Sequence, residues 1–441
     1  MTKDALIHCR NIETLVLPFL GKNINTPDRM TYLSESIYEN PINDITITLQ
    51  DVIADSAYYG ILAETITYEK EVKSIGNYAF YNCFNLKEFE LTDTLKSIGE
   101  FPFFECKSFT EINIPSSITE IPAGFIALCR NITEINIPAN IKKIGENAFE
   151  QVSVVNFTIP NTVETIETGI LTNCYSLVNL ITPYLGSNID DSENARLNYF
   201  GIYDNSIGTE FKIKTVNINS AKYLTPEAFA SYYTLEQVSI EGTLTEIPYS
   251  AFIYCINLNY VNMSDSITTI KTNAFNYCES LPMIELSENI EVIESYAFAN
   301  CNNLRYINIY DKLKTVGNDA FIYTEIEIVR YYGKTYHWTQ IDFENLTANP
   351  LYANGALSYK GSYYFYTTII SKDKIGSYAL VGLDITNIYF LGQSHEFSSL
   401  EIGQGVNINA SRIYYYMEEA PMEIDVYWHF NDAGIEAIIW K

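Results

Sequence analysis

Cysteine recurs at a fixed interval in this chain. Cys83, Cys106 and Cys129 stand 23 residues apart, and Cys255, Cys278 and Cys301 keep the same spacing far downstream. Self-similarity at such a period marks a repeat architecture, and it overrides the count of about three domains that length alone suggests. A frame recurs around each cysteine. Ile75-Gly76 leads to Ala79-Phe80, Ile98-Gly99 to Pro102-Phe103, and Ile144-Gly145 to Ala148-Phe149. The downstream series runs Ala228-Phe229, Ala251-Phe252, Ala274-Phe275, Ala297-Phe298 and Ala320-Phe321.

Within one unit the apolar period changes. In residues 75–91 it begins with Ile75, Ala79, Phe80 and Cys83, at spacings of three and four, and ends with Phe89 and Leu91 at a spacing of two. A solenoid coil explains the switch: a short strand, a bend often opened by proline (Pro115, Pro138, Pro160), a second extended stretch, and one helical turn carrying Ala-Phe. Stacked strands form a parallel sheet about 4.8 Å apart, and each coil buries its apolar face only against its neighbours. The expected fold is therefore a repeat solenoid with a parallel β-sheet on its concave face. Short helical turns and extended segments make up the rest, with irregular inserts and a β-rich C-terminal cap.

The frame, Leu-x-x-Ile-x-Ile-Pro followed by Val-x-x-Ile-Gly-x-x-Ala-Phe-x-x-Cys, resembles the BspA-like family of bacterial leucine-rich repeat proteins. The resemblance is strong over residues 67–187 and 223–325 and weak over 1–66 and 373–441. It implies a leucine-rich repeat superhelix. It also implies a cell-surface or secreted protein with an adhesion role toward host extracellular matrix or other bacteria, because members of that family are often adhesins.

The organisation expected is 1–66 as interrupted repeats, 67–187 as a first regular block, 188–222 as an insert and 223–325 as a second regular block. An aromatic-rich insert at 326–372 and degenerate repeats with a cap at 373–441 complete it. The phrases CRNIETLVLPFLG (9–21) and CYSLVNLITPYLG (174–186) match at Cys, Leu and Pro-aromatic-Leu-Gly, which suggests two modules in tandem. The opening residues, with Asp4 and the Cys9-Arg10-Asn11 break, do not read as a secretory signal. No run approaches the roughly 18 apolar residues that a membrane helix needs.

With 27 basic against 54 acidic residues the formal charge is −27, which repels phosphate backbones and argues against nucleic acid as a partner. The eight cysteines at repeat positions read as buried free thiols. Stacked identical positions point their side chains in parallel, a poor geometry for bridging, and no zinc spacing is present. His8, His337, His395 and His429 are too dispersed for a catalytic or metal constellation, and no hydrolase or phosphate-loop motif occurs. Asp190-Asp191 lacks the ladder of ligands of a calcium loop. No catalytic residue, metal or cofactor is expected. An enzyme would need a site in the inserts, around His337 and Trp338 or His429.

What remains is surface. Strand positions between the apolar ones face outward: Glu88, Glu90, Glu111 and Glu134 as an acidic stripe, and Tyr260, Asn262, Met283, Glu285, Tyr306 and Asn308 as a mixed patch. Exposed Tyr, Met and Asn suit protein recognition. The bland alternative is that Glu and Asn only solubilise the strands, with Asn side chains pairing along the stack. The expected function is non-enzymatic binding by a monomer, with a protein or glycoprotein as partner and host extracellular matrix among the candidates. An intracellular, cytoplasmic scaffold or effector of the same fold is the alternative, and free thiols in a reducing compartment would suit it.

Overall fold

The computed structural model describes Leu6, Cys9, residues 12–30, 42–203 and 211–352, and shorter runs between 356 and 439. The chain divides into two units, Met1–Tyr223 and Leu224–Lys441. Each is a parallel-strand solenoid. In the first unit Thr14–Leu17, Asp44–Ile47 and Thr65–Tyr68 pair in parallel with Leu15, Ile45 and Ile66 in register. Asn156–Thr158, Asn179–Thr182 and Thr215–Ala221 continue the same pattern. In the second unit Gln237–Gly242 pairs with Tyr260–Met263, and Met283–Glu285, Tyr306–Ile309, Ile328–Tyr331 and Ala356–Tyr359 pair in turn.

A second ladder of two-residue strands runs beside the first. Its register is one apolar residue per coil, as in Ile247, Ile270, Ile293, Val316 and Phe343. The inward residues of both ladders and the Ala-Phe pair fill the interior between them. Phe229, Phe252, Phe275, Phe298 and Phe321 form a single stack, with ring centroids 4.9 to 5.5 Å apart. Near the C-terminal end Tyr427–Phe430 pairs antiparallel with Ala437–Ile439.

The segment expected as one helical turn is instead a third ladder. Alternate backbone N–H groups point along the stack to the next coil: Tyr78 to Glu100, Phe80 to Pro102 and Asn82 to Phe104, each at 2.8 Å. A helix could not do this, because its N–H groups are consumed four residues back in its own chain. The alternation requires left-handed residues, and Tyr78 (φ 57°) and Asn82 (φ 60°) bracket the run, as Phe101 and Glu105 do one coil later. Left-handed backbone costs a non-glycine residue roughly 1–2 kcal/mol, which the inter-coil hydrogen bonds offset. At the equivalent place Gly124 takes φ 58°, and a Cβ there would lie 2.1 Å from the Phe101 ring.

The cysteines belong to this ladder. Cys278 donates its thiol to the carbonyl of Phe252 at 3.2 Å, Cys301 to Phe275 at 3.1 Å and Cys106 to Phe80 at 3.2 Å. All eight cysteines are free and seven of them are buried. Burial pushes the Cys301 thiol up to about 12. These groups are small core side chains with one donor each, which explains why Thr324 can stand at the same position and donate to Phe321.

Candidate functional site

Alternation along the long strands decides which side chains reach solvent. In Tyr260–Met263 the buried Val261 and Met263 face the core, leaving Tyr260 and Asn262 outward. Tyr260 is 54 % exposed and Met283 40 % exposed. Asn262 donates its amide to the Ser239 hydroxyl at 3.0 Å. Glu285 is exposed, and Tyr310 donates to it weakly at 3.4 Å.

Two residues of the expected patch differ from expectation. Tyr306 is half-buried, with the Arg330 guanidinium 5.3 Å from its ring centroid. Asn308 is buried, 5 % exposed, although it points to the same side as Tyr306. The cause is its neighbourhood: register places Glu285 on one side of Asn308 and Arg330 on the other. Tyr306 flanks it on its own strand, and Tyr310, just past the end of that strand, stacks on Tyr332 at 5.0 Å. Arg330, Tyr310 and Tyr332 are the members that sequence reading missed. Their signal is a coil of 22 residues in place of 23, which aligns Arg330 with Asn308.

The acidic stripe of the first unit is exposed at Glu88, Glu90, Glu111 and Glu134. Stacked like charges oppose close strand pairing. Consistent with that, no backbone ladder hydrogen bond joins residues 88–91, 111–114 and 134–137 to their neighbours. Where the row turns to asparagine, pairing returns: Asn179 donates to the Asn156 side chain at 2.7 Å, within a regular parallel ladder.

The insert histidine gives no catalytic arrangement. His337 Nδ1 lies 4.0 Å from the Asp311 carboxylate, and burial holds its pKa below the usual value. The adjoining cleft of about 560 Å³ is also lined by Lys314 and Lys374, which pair with Glu291 and Asp342. Trp338 is a core residue, donating its indole N–H to Ala379 at 3.0 Å. His8 and His395 lie outside the described residues, as does the side chain of His429. Asp191 accepts from Ser187 N–H, Ser187 hydroxyl, Glu193 N–H and Asn194 N–H, so the loop's own donors occupy both its oxygens. Among the described residues no cluster of metal-ligating side chains occurs, and no helix is long and apolar enough to cross a membrane.

Three solved structures illustrate the likeness. A leucine rich cell surface protein from Faecalibacterium prausnitzii is 22 % identical, covering 75 % of this chain and 90 % of its own, with a TM-score of 0.39. A leucine-rich repeat protein from Bacteroides ovatus is 23 % identical over 70 % and 91 %, with a TM-score of 0.29. The pneumococcal vaccine antigen PcpA is 14 % identical over 91 % of each chain, with a TM-score of 0.31. Likeness at these scores carries no argument about activity. No curated protein matches. The model of the BspA type leucine rich repeat region matches in six copies, over residues 51–178, 222–349 and 269–402. With well over half of its length so matched, the chain belongs to the BspA-type leucine-rich repeat family.

Proposed function

We propose that this chain is a non-enzymatic protein-binding module of a bacterial cell-surface protein, with an adhesion or host-interaction role. The outward face of the long strands makes the contact, with Tyr260, Asn262, Met283, Glu285, Tyr306 and Asn308 in one unit and Glu88, Glu90, Glu111 and Glu134 in the other. One observation carries the reading: Tyr260 and Met283 stand well exposed on the outward face. Large aromatic and Met side chains held out of the core are the groups that interfaces use as anchors. The bacterial surface setting is supported by membership of the BspA-type leucine-rich repeat family.

Two measurements test it together. Protease shaving of intact cells should release peptides of this protein. Capture from host extracellular matrix extract should retain a protein that a Tyr260→Ala/Tyr306→Ala chain loses. Absence of shaved peptides, with the protein in the soluble fraction, favours an intracellular scaffold, a reading that the eight free cysteines support. Equal capture by both chains removes the face from the account.

A further inference from the structure

One buried polar atom on the outward face has no partner. The side-chain carbonyl of Asn308 makes no hydrogen bond, although the residue is 5 % exposed. Buried polar groups are ordinarily satisfied, and an exception calls for an explanation such as a ligand or an ordered water. Around this atom the face is a corner of acceptors. Glu285 is in register on the preceding strand, and no basic side chain among the described residues pairs with it. Tyr310 completes the corner, its hydroxyl toward Glu285 and its ring against Tyr332.

The geometry points to a cationic side chain of a partner polypeptide, an arginine or lysine, as the occupant of this corner. Its N–H groups would bond Asn308 Oδ1 and the Glu285 carboxylate together, a charge-assisted arrangement stronger than a neutral pair. Its planar or aliphatic portion would lie on the Tyr310 and Tyr332 rings, as cations do on aromatic faces. Arg330 already shows a guanidinium resting on a tyrosine of this surface, 5.3 Å from the Tyr306 centroid. Arg330 is in register with Asn308 on the next strand, roughly 5 Å away by strand spacing, and its guanidinium lies over the Tyr306 ring. That lies within a Debye length, so the attraction that draws in a cation comes from the Glu285 carboxylate, on the opposite side of Asn308. Charge complementarity favours this occupant over an anionic or neutral one, because a formal charge of −27 draws cations toward the whole chain.

The inference rests on the reading of this face as a binding surface and adds the chemistry of the group bound. The test uses the full chain and two probes, hexa-arginine and neutral chitotriose, read by fluorescence anisotropy and calorimetry. Asn308→Leu leaves the charge unchanged, and Glu285→Gln removes one charge from an exposed site. Glu71→Gln removes the same charge from an exposed site in the other unit, away from the proposed contact face. Both Asn308→Leu and Glu285→Gln should weaken hexa-arginine binding about tenfold or more, and Glu71→Gln less than about twofold. Asn308→Leu should also melt no lower than the parent, since it removes an unsatisfied carbonyl.

Equal weakening by Glu71→Gln and Glu285→Gln, with none from Asn308→Leu, would mean bulk attraction only and would overturn the inference. A lower melting temperature for Asn308→Leu with binding intact would assign the carbonyl to a structural water. Asn308-dependent binding of chitotriose without hexa-arginine would replace the cation with a saccharide. If a matrix protein is lost with Tyr260→Ala/Tyr306→Ala while Asn308→Leu binds hexa-arginine like the parent, this inference falls and the binding face stands. If neither variant matters, both fall.

Discussion

The rings of Phe252 and Phe275 lie 5.0 Å apart and within 6° of parallel, one coil above the other. Each is the central contact between neighbouring coils, and such nearest-neighbour interfaces are what hold a solenoid together. Phe252 is fully buried, whereas Tyr260 on the same coil is mostly exposed. Phe252→Ala should cost about 3–5 kcal/mol, and Tyr260→Ala should stay within about 1 kcal/mol. Chemical denaturation of both variants measures this, and equal losses would mean that the inward and outward positions are misassigned.

The thiols of Cys83, Cys106, Cys129, Cys174, Cys255, Cys278 and Cys301 are buried. Burial pushes the Cys174 thiol up to about 12, which makes the reactive thiolate scarcer still. A thiol reagent at pH 8 should therefore label none of these seven in the native chain and all of them after denaturation. Rapid native labelling of several would contradict their place in the core.

Glu88, Glu111 and Glu134 repeat at the same position of successive coils in the stretch that lacks ladder hydrogen bonds. Glu111→Gln removes the central charge of the row. Its melting temperature should rise by about 1–2 °C at low salt. In roughly 1 M salt, where screening reaches about 3 Å, the gain should vanish. A gain that persists in salt would trace to something other than like-charge repulsion.

Asp191 gives a pH signature. Burial alone would raise its pKa, but hydrogen bonds from Ser187, Asn194 and Glu193 outweigh that and hold it at about 2. An unfolded aspartate titrates near 4. The sign follows: the stabilisation is fully present above about pH 4 and is lost as pH falls toward 2. Melting curves between pH 5 and 2 should therefore fall more steeply for the parent than for Asp191→Asn, and parallel curves would refute the assignment.

The coil frame was legible because Phe80, Phe89 and Leu91 carry period-two and Ala-Phe signals that depend only on the local chain. The turn run was misread because Ala79, Phe80 and Cys83 match helical spacing. What decides between helix and turns is whether Phe80 N–H bonds within its coil or to Pro102 in the next, a relation between distant residues. Asn308 was placed on the correct side by alternation. Its burial came from Glu285 and Arg330 on the neighbouring strands, a contact that follows from the short coil and is not carried by alternation within the Asn308 strand. The turn-side aromatic ladder of Tyr59, Tyr81 and Phe104 also escaped notice, though an aromatic residue two places before Cys83 and Cys106 was its visible trace.

The most direct measurement is hydroxyl-radical footprinting of the full chain, free and bound to the matrix protein it captures. Tyr260 and Met283 should be oxidised in the free chain and protected in the complex. Tyr59, Tyr78 and Tyr323, exposed on the turn side, should be oxidised equally in both. Protection of the turn-side tyrosines, with Tyr260 and Met283 unchanged, would contradict recognition through the outward face of the sheet.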